Sequence, residues 1–367
     1  MDSKSGKLVL LISLTTVLLS FPSAGVEFGV QPLWDRALPG AVNYVRIVGR
    51  EILVGSGGNT ITLLTTTGRI LWAKTFESGI TGIALSNDYV GVSLTSGELI
   101  LLDHGGERIW SRRTDSYIGY ADALLLIDDG FYAGDMSGVI SLFDLSGNLL
   151  WKGTSDAYVI SLNRLDDTVL AVSDKGVYVL EDSRINQMIT VDGYVRAARL
   201  ETELSALSSS GGEIIIFDAG GEALWNKSLG ETVGTVYSSS DGVVAGSREE
   251  NIHVFDENGE ARWSNRLDGS ITKVYLNAEY VIAGSTNNKV YAFNWRGRPV
   301  WVNTEDSGVS DFDANEVALV YGTSQGRLKY FVLTSKSTEQ AYIAGALIGV
   351  TLLAGFVMLV MHWRHKG

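Results

Sequence analysis

Seven carboxylates recur along the sequence at a nearly constant interval: Glu77, Asp115, Asp156, Asp192, Glu231, Asp268 and Asp306. Gathered on one face, such groups would favour a cation or the basic side chains of a peptide. Ca²⁺ is the one candidate ion, and no other cofactor is implied. The competing reading is a set of solvated turns, each carboxylate accepting hydrogen bonds from nearby backbone. Other reactive groups are sparse. The 367 residues include 4 histidines and no cysteine, which excludes disulfide scaffolds, thiolate metal sites and cysteine nucleophiles. Asp311-Phe312-Asp313-Ala314-Asn315-Glu316 spaces its oxygens as a calcium loop does, but it lacks the glycine at the sixth place, and its register points to a hairpin turn. His104 falls in a turn and His253 on a strand, neither beside a visible nucleophile. No catalytic residue is assigned.

The elements that position the carboxylates are read from tryptophan. Trp34, Trp72, Trp110, Trp151, Trp225, Trp263 and Trp301 stand 38, 38, 41, 74, 38 and 38 residues apart, with Met188 at the midpoint of the long gap. Before Trp110, Trp151, Trp225 and Trp263 runs the pattern apolar-apolar-Asp-x-x-Gly-x-x-x-Trp, with Thr65, Glu181 and Asn294 in the place of the Asp in other copies. Its Asp is Asp103, Asp144, Asp218 or Asp256, and the Gly recurs as Gly68, Gly106, Gly147, Gly221, Gly259 and Gly297. In the fifth copy Glu181, Arg184 and Met188 replace all three. Between Trp positions lie three short β-rich runs punctuated by Gly, Asn and Asp, such as 80–85, 89–94 and 98–102. This is the pattern of antiparallel hairpins.

A repeat of about 38 residues with four strands is a propeller blade. The expected fold class is therefore all-β: an eight-bladed β-propeller over 30–333. The Trp34 strand, which has no three strands before it, completes the last blade and removes the open edge. The recurring Trp, Asp and Gly read as structural. The ring packs between blades, the carboxylate holds a turn, and the glycine supplies positive φ. The seven acidic residues then fall on loops from an outer strand to the next inner strand, expected around the axial mouth.

The run AlaGlySer-x-x-Asn-x-ValTyrAlaPheAsn-x-x-Gly-x-x-x-Trp at 283–301 resembles the PQQ-like repeat. That resemblance implies eight blades. It also implies one of two functions, that of a quinoprotein alcohol dehydrogenase or that of the non-enzymatic propeller lipoprotein of bacterial outer-membrane protein assembly. A dehydrogenase of this kind implies a funnel with a catalytic Asp, bound Ca²⁺ and, in many members, adjacent cysteines. Here the loops are short and uniform and cysteine is absent. The expectation is thus a non-catalytic binding or scaffold module. The lipoprotein's anchoring cysteine is missing as well.

Residues 1–25 read as a signal peptide, with Lys4 and Lys7 before an apolar run. Residues 341–361 carry no charge and are long enough to span a bilayer as a transmembrane helix, while Trp363, Arg364, His365 and Lys366 follow at once. The expected arrangement is a propeller outside the cytoplasm, a short linker at 334–340, one membrane span, and a cytoplasmic tail at 362–367. A single C-terminal span suits a prokaryotic, archaeal-type surface protein. Ala341, Gly345 and Gly349 offer a helix-packing face for a dimer. Expected partners are envelope or membrane proteins, or a basic peptide or cation at the propeller mouth. A formal charge of −13 argues against nucleic acid.

Overall fold

The computed structural model describes residues 29–334, apart from 156, 166–167, 182–183 and 202–203. The signal segment, the linker beyond Thr334, the apolar span, its packing face and the tail lie outside the described residues. Among the described residues no helix is long and apolar enough to cross a membrane.

Eight four-stranded antiparallel sheets follow one another in meander order. Blades 1 to 7 occupy 42–75, 80–113, 124–154, 159–190, 195–228, 233–266 and 271–304. Blade 8 joins 309–334 to Gly29–Ala37, which pairs antiparallel with Arg327–Thr334. The expected count and the expected closure are both found. Because each blade is a meander, its first-to-second and third-to-fourth turns lie on one face of the disc. The second-to-third turns and the links between blades lie on the other.

Burial explains why the strands read differently in sequence. In blade 1 the second strand, Glu51–Ser56, is buried at all but its first residue. The fourth strand, Ile70–Thr75, alternates. Middle strands are covered on both sides by neighbouring blades, so they read as continuous apolar runs, whereas the outermost strand has one wet side. The core accordingly lies between blades: one cluster joins Leu53, Ile61 and Leu63 of blade 1 to Ile83, Val90 and Val92 of blade 2.

The repeated motif is an inter-blade joint. Gly68, Gly106, Gly147, Gly221, Gly259 and Gly297 have φ between 73° and 83°, where a side chain is strained. All but Gly221 also lie against the Trp ring of the preceding blade. A Cβ on Gly106 would come within 2.8 Å of Trp72, and one on Gly147 within 2.8 Å of Trp110. The indole N–H groups of Trp34, Trp72, Trp110 and Trp225 donate to carbonyls of that same turn, Thr66, His104, Leu145 and Glu257. Asp144 Oδ1 accepts from the N–H groups of Ser146 and Asn148. All seven tryptophans sit on outermost strands, and only Trp110 is buried, at 5% exposure.

The degenerate copy keeps the joint by another route. Glu181 is in register with Arg184, and a bulge falls at Met188. That bulge brings the Met188 side chain onto Gly221, 2.2 Å from where a Cβ would stand.

Candidate functional site

The links carry the recurring acids, as expected, but not around the axis. Glu77, Asp115, Asp192, Asp268 and Asp306 are exposed and Glu231 is half-buried; Asp156 lies outside the described residues. None of the six described ones is among the residues lining the axial cavity. They stand at the start of each link, so those with partners reach sideways to outer strands of the next blade. Asp115 pairs with Lys152, Asp268 with Lys289 and Glu231 with His253. The Lys289 ammonium holds Asp268 below the usual carboxylate range. Burial would raise Glu231, but hydrogen bonds from Asn251, His253 and Ser247 overcome it and lower that carboxyl. At blade 8 the neighbouring residue takes over. Glu305, 9% exposed, accepts from Tyr321 Oη and from Lys329 Nζ at 2.8 Å. Glu77, Asp192 and Asp306 make no ion pair among the described residues.

His253 does face a hydroxyl, which corrects the sequence reading. Its Nδ1 lies 2.8 Å from Ser264 Oγ, and its Nε2 meets Glu231 Oε1. The sequence could not show this because Ser264 becomes its neighbour only through strand register, where the two residues are direct cross-strand partners. The cluster sits on the outer flank of blade 6, away from the axial cavity.

The polar centre of the molecule lies in the axial cavity, about 630 Å³ in volume. Its wall is the row of first strands. Seven of them carry a bulge near their start, as between Val42 and Tyr44, or Val309 and Asp311. Bulges sharpen the twist that turns alternate side chains to the axis. Blades 2 to 4 present Ala84, Leu125 and Asn163 there. Blades 5 to 8 and blade 1 present Arg199, Tyr237, Tyr275, Asp313 and Arg46 at the matching place. At this level the cavity is therefore uncharged on one side and lined by charged and phenolic groups on the other.

Ion pairs tie the charged side together. Asp311 accepts from Lys273 Nζ at 2.7 Å and from the Val45 N–H at 2.9 Å, and its Oδ2 lies 3.3 Å from Arg46. Asp313 accepts from the Ile47 N–H at 2.8 Å. Arg46 also pairs with Asp122 of blade 3. Asp122 stands on a 3₁₀ turn, Ala121–Ala123, within the enlarged third unit. The Arg46 guanidinium holds the Asp122 carboxyl below its ordinary value. Burial pushes Asp313 up, opposed by Lys273 and Arg46. Thus 311–314 is not a turn, as its sequence suggested, but strand; the turn starts at Asn315, whose Oδ1 accepts from Val317 and Ala318. The sequence signal was the Asp-x-Asp alternation itself, which is strand period, two carboxylates facing one way. Among the described residues no group of three or more His, Asp and Glu side chains is placed to hold a metal ion.

The chain was compared with known proteins. A family model described as outer membrane protein assembly factor BamB matches residues 31–199 and 210–347. No curated protein matches the chain. Among solved structures, the computationally designed Ika8 protein superposes with a TM-score of 0.73 at 18% identity, over 82% of this chain and 99% of that one. BamB from Moraxella catarrhalis gives 0.70 at 17% identity, over 83% and 100%. Sqt1 from Saccharomyces cerevisiae gives 0.70 at 16% identity, over 84% and 100%. At these identities the likeness to the three structures is one of fold.

Proposed function

The chain belongs to the family of the outer membrane protein assembly factor BamB, and from that premise we propose that it is a non-catalytic binding module, a propeller that gathers proteins at the cell envelope. One observation carries this reading: Gly29 pairs with Thr334. Both described chain ends therefore lie on the turn face, and the whole link face is free of them. On the reading of 341–361 as a membrane span with the tail 362–367 in the cytoplasm, the segment 334–340 extends at most about 25 Å. The turn face is then held toward the bilayer, and the link face is offered to extracytoplasmic partners. Glu77, Asp192 and Asp306, which make no ion pair among the described residues, give that face the sign that attracts basic segments or cations.

Affinity capture from detergent-solubilised native membranes, with and without Ca²⁺, tests the proposal. Proteins that co-purify in stoichiometric amounts are expected. A preparation carrying no protein but a bound quinone chromophore that oxidises alcohols would refute it. The orientation is tested separately, since external protease is expected to cut the propeller in intact cells.

A further inference from the structure

The repeat supplies its own control for finding a docking surface, because any residue can be compared with its counterparts in the other blades. The link residue six or seven places after each Trp position is one such residue. It directly precedes the first strand in every blade except the third, where an insertion separates Tyr117 from Leu124–Ile127. In seven blades its carbonyl accepts the N–H of the facing second-to-third turn, as in Met136 to Tyr117, Ser210 to Tyr194 and Thr95 to Gly79. Blades 3, 4 and 5 carry tyrosine there: Tyr117, Tyr158 and Tyr194. The other five carry alanine, glycine, threonine, serine and glycine. Three neighbouring copies have thus acquired the same large side chain where the fold is satisfied by a small one. The three residues inserted in the third unit add a fourth ring, Tyr120.

These rings are not core. Tyr117 is 46% exposed and Tyr194 51%. Tyr120 stacks on Tyr158 with centroids 5.7 Å apart and planes 9° apart. Beneath the pair lies a second, independent feature. Asp174 is 4% exposed, and its Oδ1 is buried with no hydrogen-bond partner. A buried carboxylate oxygen without a donor is costly to keep, and a donor brought by a ligand would satisfy it. By contrast Asp135, in the corresponding turn of blade 3, accepts from Ser116, Ser137 and Val139. The ring faces also accept cations: Lys175 Nζ sits 4.6 Å from the Tyr194 centroid.

We propose that Tyr117, Tyr120, Tyr158 and Tyr194 form the docking surface for an extended, Lys- or Arg-bearing segment of an extracytoplasmic protein. Exposed tyrosines give large contact area at small entropic cost, and their faces attract ammonium and guanidinium groups. Asp192, which makes no ion pair among the described residues, stands in the Tyr194 link and supplies opposite charge, while Asp115 in the Tyr117 link is paired with Lys152. The cluster lies on the link face, away from both described chain ends. This proposal rests on the binding-module reading and names the partner chemistry for it.

Calorimetric titration of the purified full-length chain in detergent tests the surface. The probes are an alternating Arg/Gly peptide of about ten residues, its Glu/Gly counterpart and a neutral hexasaccharide. The Arg/Gly peptide is expected to bind, and binding is expected to fall about tenfold in the triple variant Tyr117→Ser, Tyr158→Ser, Tyr194→Ser. Should that variant fail to fold, Tyr194→Ser alone, the most exposed position, is expected to weaken binding about threefold. Equal affinity of variant and wild type, or preference for the Glu/Gly peptide or the sugar, would overturn the proposal. If the folded triple variant captures the same membrane proteins as wild type, this surface is refuted while the binding module stands. If wild type captures none, the module reading itself fails.

Discussion

Trp34 lies flat on Tyr330, with ring centroids 5.3 Å apart and planes 14° apart. The two residues are also register partners in blade 8, although they come from opposite ends of the described chain. Their contact closes the circle, because without Gly29–Ala37 the strand Arg327–Thr334 would be an open edge. Trp34 adds a second tie, its indole N–H donating to Thr66 O of blade 1 at 2.8 Å.

Trp34→Ala is therefore expected to destabilise the propeller by about 2–3 kcal/mol, the sum of half-buried apolar area and one hydrogen bond. Urea unfolding would measure it. An unchanged midpoint would mean that the closing strand is not held by this joint.

The glycine of the inter-blade joint does two things that substitution can separate. Gly97 has φ +77° with open space around it, while Gly147 has φ +83° and lies against the Trp110 ring. Alanine at Gly97 is expected to cost about 1 kcal/mol, from backbone strain alone. Alanine at Gly147 is expected to cost clearly more, because ring and turn must also part. Equal thermal shifts for the two variants would contradict the joint.

Asp311 is 13% exposed at its side chain and holds both Lys273 and Arg46. Asp311→Ala leaves two cations facing the cavity and two backbone N–H donors without their acceptor. A loss of about 2–4 kcal/mol is expected in chemical denaturation. A loss below about 1 kcal/mol would show that the cations relax into water.

Asp313 and Asp122 should respond to pH with opposite sign. Burial raises the Asp313 carboxyl above its ordinary 3.8. Its contribution to stability is full below that value and is lost as pH rises through the folded one. Asp313→Asn, which keeps an acceptor for the Ile47 N–H, should raise stability at pH 7 and have no effect at pH 3. Asp122 is lowered from 3.8, with Arg46 the main cause. Its contribution is present above 3.8 and is lost only as pH falls through the lower folded value. Since Asp122 is 67% exposed at its side chain, screening limits the effect of Asp122→Asn at pH 7 to a loss below about 1 kcal/mol. Urea melts at the two pH values check both signs, and stabilisation by Asp122→Asn would be the contrary result.

Periodicity was enough to read blade number, strand order, the closing strand and the role of Trp, Asp and Gly, because each of these recurs at one place in every copy. Even the drifted copy was placed correctly by spacing, although its bulge at Met188 was not visible. The candidate site was much less legible. The acids that recur, Glu77 to Asp306, mark the links but not the axis. The groups that meet at the axis do not recur: Arg46, Asp122, Lys273, Asp311 and Asp313 differ from blade to blade.

The amino-acid sequence by itself determined the architecture, since a repeated local pattern folds into a repeated local unit, and eight wedged units with one closing strand form a ring. Only the tertiary structure decided which unique side chains share the axial cavity and which tyrosines share a face. Those neighbours are set by bulges, link direction and blade order, which bring together residues from distant copies, and a pattern seen within one copy carries no record of what stands across the ring.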